Sequence, residues 1–237
     1  MNLTLVLATL RQRFTSPLRL LIVFFVGWIP MLPILVVPDA GFNLIPDCYF
    51  LVLALAAGLI GQDLASGTVQ LVLARPVTRA QLVFSRWIAV AIATIGVVLL
   101  QVATAALIMA ARGAGVPWRQ AALFLADNAL LALGTAAVMA LLSALAPGLG
   151  DLGLLVLANL SAALLQGVGA WRRWGAVVRA AEEVQHVLKP ELHLGPLAYG
   201  SPPWPDVVSY LSTVTLCLAL AVVVLNRREL SYASTGG

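Results

Sequence analysis

Few residues in this 237-residue chain are equipped for chemistry, and their spacing narrows what they can do. Asp127 and Asn128 stand together inside the apolar stretch from Ala121 to Ala146. An acid within a membrane is costly and usually functional, so the pair could line a polar path. Equally, Asp127 could cap a span running from Asn128 to Ala146, which is long enough by itself. His186 and His193 have Glu182, Glu183 and Glu191 nearby. Glu182 and His186 are one helical turn apart, but Pro190 breaks the spacing before His193, so no metal site is expected. Cys48 and Cys217 fall at different expected depths and form no Cys-x-x-Cys pair, which predicts neither a disulfide nor a metal ligand set. No Walker A loop is present, and Asp127 has no second acid at its depth. The chain is therefore expected to be non-catalytic and to bind no cofactor of its own.

Composition says where such residues must be positioned. The chain is 61% hydrophobic and 10% charged, with a mean hydropathy of +0.98. Soluble domains carry roughly 25% charged residues, enough to cover their surface. Long uncharged runs alternating with short charged clusters instead predict repeated bilayer crossings. The formal net charge of +4 is small, and the basic residues sit at the ends of apolar runs. This fits the positive-inside bias of membrane proteins better than a nucleic-acid-binding stripe, so no nucleic-acid partner is expected.

At 1.5 Å per residue a span needs about 20 apolar residues. Six runs meet or approach this: Leu18 to Val37, Cys48 to Gly61, Trp87 to Met109, part of Ala121 to Ala146, Leu152 to Ala170, and Val207 to Leu225. Pro30 and Pro33 predict a kink in the first. The second is too short unless it extends to Ser66 or back toward Leu44. Arg11, Arg13 and Arg19 precede the first span, whereas Pro38 to Asp47 holds no Lys or Arg. That asymmetry predicts both termini in the cytoplasm of a multi-pass protein of the cell (inner) membrane. Leu3, Val6, Leu7 and Leu10 predict an N-terminal interfacial helix on the inner leaflet lipids. Residues 147–151 form a Pro-Gly turn that makes spans four and five antiparallel neighbours. Between spans five and six, Val177, Ala181, Val184 and Leu188 oppose Arg179, Glu182 and Glu183, predicting an outer amphipathic helix over 176–189. Pro190 ends it, and Pro196, Pro202, Pro203 and Pro205 keep the rest extended. Trp171, Trp174 and Trp204 read as interfacial anchors. The fold class is thus an all-α integral membrane protein with six transmembrane helices, a single domain over 1–237.

The stretch 62–81 reads as a helix that leaves the membrane, stops and re-enters. Gly67 loosens the end of the second span and Thr68 caps a short helix. Val69, Val72 and Leu73 give that helix an apolar face, and Pro76 stops it. Thr78 with Gln81 forms a capping box that opens the next helix. Arg75, Arg79 and Arg86 hold this elbow at the headgroups. A short, partly apolar helix of this kind suits a partner groove, or it rests on lipid.

The run Ser66-Gly67-Thr68, then Leu73-Ala74-Arg75-Pro76-Val77-Thr78-Arg79, then Arg86, resembles the signature of ABC-2-type transporter permeases. Around it, the N-terminal elbow helix, the outer segment and the basic end Asn226-Arg227-Arg228-Glu229-Leu230 are similar too. The chain differs in having Asp63 near where Glu is commoner and Arg86 where Lys is commoner, and both keep the charge. The resemblance implies a permease subunit of an ATP-driven exporter, working as a dimer, a homodimer or a pair with a related permease. Residues 64–76 would be a coupling helix docked on two cytoplasmic ABC ATPase subunits, which would hold the ATP and Mg. Substrate would then meet spans two and five, where Asn159, Ser161 and Gln166 put polar groups, unless these serve helix-to-helix hydrogen bonds. A mechanical relay to an extracytoplasmic partner is the main alternative. A secondary transporter would want broken helices in matched repeats, and no segment matches the Pro30–Pro33 break.

Overall fold

The computed structural model describes residues 3–37, 42–74, 77–195 and 204–228, and all regular structure among them is helical. Five segments are long and apolar enough to cross a membrane: Arg19–Val36, Arg79–Ala111, Trp118–Leu145, Gly150–Trp171 and Trp204–Arg227. Such a set is consistent with a multi-pass membrane protein.

Helix α1 (Leu3–Thr15) leads through Ser16 into α2 (Pro17–Trp28), which opens on proline, a residue tolerated where the first N–H groups lack partners anyway. The kink expected in this run is a 3-10 turn at Ile29–Met31, followed by the short α3 (Leu32–Val36). Pro30 and Pro33 each lack the N–H that a continuous helix needs, so the ladder tightens and restarts there. Arg112 closes the far end, its Nη1 donating to the carbonyls of Ile34 (2.7 Å) and Val37 (3.2 Å).

The second apolar run is not one helix. It forms α4 (Tyr49–Ala56), a turn at 57–60, and α5 (Gly61–Ala65), with α6 (Thr68–Leu73) beyond. Neither extension expected from the sequence yields a continuous span. Helix α7 (Arg79–Ala111) starts at Thr78 with the expected capping box: the Gln81 N–H donates to Thr78 Oγ1 at 3.2 Å, and the Thr78 N–H donates to Gln81 Oε1 at 3.1 Å.

Helix α8 (Trp118–Leu145) is the central post. Its buried face is built from small residues (Ala132, Gly134, Thr135, Ala136, Ala137, Ala140, Ser143 and Ala144), which let α7, α4 and α11 (Trp204–Arg227) approach closely. Two aromatic side chains pin these contacts. Trp87 Nε1 donates to the Leu133 carbonyl (2.9 Å), and Tyr210 OH donates to the Leu130 carbonyl (2.7 Å).

Helix α9 (Gly150–Trp171) follows α8 through the expected turn, yet it buries only Asp151, Leu155, Ala162 and Gly169. Its main neighbour is α10 (Gly175–Leu188), the expected amphipathic helix. The direction of α10 was not expected. It folds back along α9: the Trp174 N–H donates to the Gly169 carbonyl (2.8 Å), while Lys189 at the other end lies over the Tyr49 ring. Pro190 then packs against Gly134, where a Cβ would meet the Pro190 carbonyl oxygen at 3.0 Å. From there the chain returns, and the Leu194 N–H donates to Asp127 Oδ1 (2.8 Å). Pro196, Pro202 and Pro203 lie outside the described residues. Pro205 is inside α11 rather than in an extended segment.

Candidate functional site

One end of the bundle carries α1, α5, α6 and the turn between α8 and α9. At this elbow end the chain solves a specific problem. The turn at 57–60 frees backbone groups inside the protein, where an unpaired amide or carbonyl costs about 1–3 kcal/mol. Several are met by groups from distant elements. Arg13 of α1 donates through Nη1 to the Ala57 carbonyl (2.7 Å) and through Nη2 to the Gly58 carbonyl (3.2 Å). The Gly58 N–H donates to Asp151 Oδ2 (2.7 Å). Ser143 Oγ accepts from both the Ile60 N–H (2.9 Å) and the Gly61 N–H (2.8 Å). The Gly148 N–H closes the set by donating to the Gly61 carbonyl (2.6 Å).

Asp151 and Ser143 are fully buried and Arg13 is 2% exposed, so the clamp is sealed from solvent. Burial and the nearby Arg19 and Arg86 push the Arg13 guanidinium down to about 9, with Asp63 and Asp151 opposing. It therefore remains a cation at neutral pH. The sequence marked Leu3, Val6, Leu7 and Leu10 as the apolar face of this helix. The buried stripe of α1 is instead Val6, Thr9 and Arg13, and Leu3 and Leu7 are exposed.

Beyond the clamp, Asp63 forms a buried ion pair with Arg86, whose Nη1 also donates to Gln12 Oε1 (3.2 Å). Arg19 donates to Gln62 Oε1. Helix α5 is thus tied to α2 and α7, and through Arg86 to α1. Gly67 then turns the chain with φ +71°, a left-handed conformation that costs a side chain-bearing residue energy. Ser66 Oγ and Thr68 Oγ1 share a hydrogen bond of 2.7 Å across the turn.

The apolar face of α6 points inward. Val69 is 1% exposed and Val72 packs on the chain's own core. What faces outward is Ala65, Ser66, Gly67 and Thr68, small and partly polar. The expectation that Val69 and Val72 present a surface to a partner is therefore corrected. The Leu73 side chain, Arg75 and Pro76 lie outside the described residues. Arg79 does not hold the elbow to solvent; its Nη1 donates to the last carbonyls of α11, Leu225 (2.6 Å) and Asn226 (2.8 Å).

At the opposite end, the polar residues expected along a path do not line one surface. Asp127 caps nothing, because α8 is continuous from Trp118 and its backbone N–H groups are already used. Asn128 is 4% exposed and serves packing: its Oδ1 accepts the Cys48 N–H at the start of α4 (2.7 Å), and its Nδ2 donates to the Phe124 carbonyl (2.8 Å). Asn159 donates to Leu155 (2.9 Å) and the exposed Ser161 to Ala158 (2.9 Å), both within α9. Gln166 is half-buried farther along α9.

Sequence reasoning missed the charged knot beside them, in which Lys189 pairs with Asp47 (2.7 Å) and with Glu191, and His193 lies 3.5 Å from Glu191. No group of three metal-ligating side chains occurs among the described residues. Asp127 and Asn159 open onto two neighbouring cavities of about 460 and 310 Å³ that share Glu191 as a lining residue.

A family model described as a protein of unknown function (DUF2705) matches residues 42–148. That stretch holds the broken helix, the elbow, α7 and the central post, and it ends at Gly148, the last donor of the clamp. No curated protein and no solved structure matches the chain.

Proposed function

We propose that the chain is the membrane-spanning permease subunit of an ATP-driven ABC exporter, with separate cytoplasmic ATPase subunits seated on the α5–α6 elbow. The observation that carries this reading is the way the elbow is anchored. Helix α5 begins at a sealed clamp made by α1, α8 and α9, and its Asp63 is ion-paired to α7. A push on the exposed Ala65–Thr68 turn is passed to four other helices without a soft joint between, as coupling to an ATPase requires. ATP and Mg belong to the partner, and two permease copies enclose the path.

In this reading the broken α4–α5 segment is the sixth crossing, and the elbow end with both termini is cytoplasmic. Helix α10 then turns back toward the middle of the membrane from outside, carrying Glu182, Glu183 and His186. Charges at that depth belong against water or a second subunit, not lipid. Native Cys48 and Cys217 are buried, so a cysteine placed at exposed Thr68 is expected to label only from the cytoplasm. One placed at Glu183 labels only from outside. Labelling of both from one side removes this topology.

A secondary transporter also uses broken helices, and the turn at 57–60 is a second break beside Pro30–Pro33. In such proteins the freed backbone groups hold ligand. Here they are bonded by the chain's own Arg13, Asp151, Ser143 and Gly148, which favours a structural joint.

The test is co-purification of the ATPase with tagged permease. Thr68→Arg, on the outward turn, is expected to leave the amount of permease in the membrane unchanged and to reduce ATPase recovery at least about tenfold, because a buried unpaired charge costs several kcal/mol. Equal recovery with the variant and the native chain dismisses the elbow as the docking site.

A further inference from the structure

The cavity beside Asp127, at the end opposite the elbow, has a chemistry of its own. It measures about 460 Å³. Phe42, Ile45, Phe124, Leu131 and Leu192 give it an apolar lining, with the Phe42 and Phe124 ring centroids 6.4 Å apart. This volume lies in the range of small-molecule sites, roughly 300–1,000 Å³.

Its acids are not evenly paired. Asp47 and Glu191 share the ammonium of Lys189, His193 lies against Glu191, and no cation among the described residues pairs with Asp127. The Asp127 carboxylate spends Oδ1 on the Leu194 N–H, and no hydrogen bond among the described residues engages Oδ2. A carboxylate on the helix that also carries the Phe124 ring, with no cation paired to it among the described residues, is the receiving half of an ion pair. A bare metal ion does not fit, since no three ligating side chains converge among the described residues. An alkylammonium fits on both counts: its charge meets Asp127, its N–H groups find Oδ2, and its body covers the rings, which themselves attract cations.

We propose that this cavity binds an organic cation, a protonated amine on an apolar body about the size of one ring. This goes beyond the transport reading and does not rest on the ATPase, because binding is measured on the purified permease alone. The same chemistry has two sources, a free hydrophobic amine or the amine headgroup of a lipid.

The probe is 4-phenylbutylamine, with 4-phenylbutanol and 4-phenylbutyrate as its neutral and anionic counterparts, measured by equilibrium dialysis against the full chain in phosphatidylglycerol nanodiscs. The amine is expected to bind saturably, and the alcohol and carboxylate at least about tenfold more weakly. Asp127→Asn keeps an oxygen for the Leu194 N–H, so it retains the local fold, which an unchanged unfolding midpoint verifies. It is expected to bring the amine down to the affinity of the alcohol. Phe124→Ala weakens amine and alcohol alike, a readout that a purely electrostatic surface effect would not give.

Repeating the titration in phosphatidylethanolamine nanodiscs separates the sources. A lower apparent amine affinity there, abolished by Asp127→Asn, identifies the lipid headgroup as occupant; equal affinity in both lipids identifies a free amine. The proposal is overturned if the native chain binds no amine saturably, if it holds amine and alcohol equally, or if Asp127→Asn keeps the native preference for the amine.

Discussion

Gly61→Ala is expected to lower the unfolding midpoint sharply and to leave little permease in the membrane. A Cβ at this position would stand 2.6 Å from the Ala146 carbonyl oxygen and 2.6 Å from the Gly148 carbonyl oxygen. Both are backbone atoms, so neither can swing aside as a side chain end can. Relief requires α5 to move away from the turn between α8 and α9. That movement lengthens the bonds from Ile60 and Gly61 to Ser143 and from Gly148 to the Gly61 carbonyl. Overpacking costs roughly 1–3 kcal/mol, and each weakened buried hydrogen bond about 1 kcal/mol. The expected loss is therefore about 3 kcal/mol or more. Gly153→Ala is the control, since a Cβ there meets nothing within 4 Å and alanine is the better helix former. Thermal unfolding of both variants in one detergent is the measurement. A midpoint for Gly61→Ala equal to that of Gly153→Ala would show that the clamp has slack.

The contrast between the two glycines also shows what the sequence could and could not convey. Long helices were legible because twenty apolar residues in a row admit few other structures: the expected Trp87 to Met109 lies within Arg79–Ala111. Local rules with a fixed spacing were legible as well. Thr78 and Gln81 cap α7, Gly67 turns the elbow, Pro30 and Pro33 break the first run, and Pro190 follows the end of α10.

The break at 57–60 was not. Gly58 and Gly61 are its local signal, but glycine is ordinary in membrane helices. What decides the matter is that Arg13, Ser143 and Asp151 arrive to satisfy the freed groups, from 44 to 93 positions away in the chain. The inward turn of Arg13 and of Val69 follows from the same junction, because a face can be assigned as buried only once its neighbour is known. Asp127 misled for a related reason. An acid before an apolar run is a sound cap signal, yet Ala121–Ala126 also favours helix, and Leu194, far along the chain, supplies the N–H that the carboxylate accepts.

The Asp63–Arg86 pair permits a sharper test of whether the junction transmits force or merely holds together. Both side chains are 9% exposed, and Arg86 gains a second contact from Gln12 on α1. Arg86→Met leaves a buried carboxylate without its cation, which is strongly destabilising, by about 3–5 kcal/mol. Removing both charges as Asp63→Leu with Arg86→Met avoids that penalty, and such apolar replacements of buried pairs are commonly neutral or stabilising. Unfolding midpoints are therefore expected to fall steeply in Arg86→Met and to return to near the native value in the double variant. The two quantities separate at function. If α5 is a lever, the double variant folds and recovers the partner ATPase, but ATP hydrolysis no longer drives transport, because the tie between elbow and α7 is then nonspecific packing. If the pair is only a fastening, rescue of the midpoint restores transport with it. Fold and activity recovering together in the double variant would sink the lever, while leaving the elbow free to serve as a static dock.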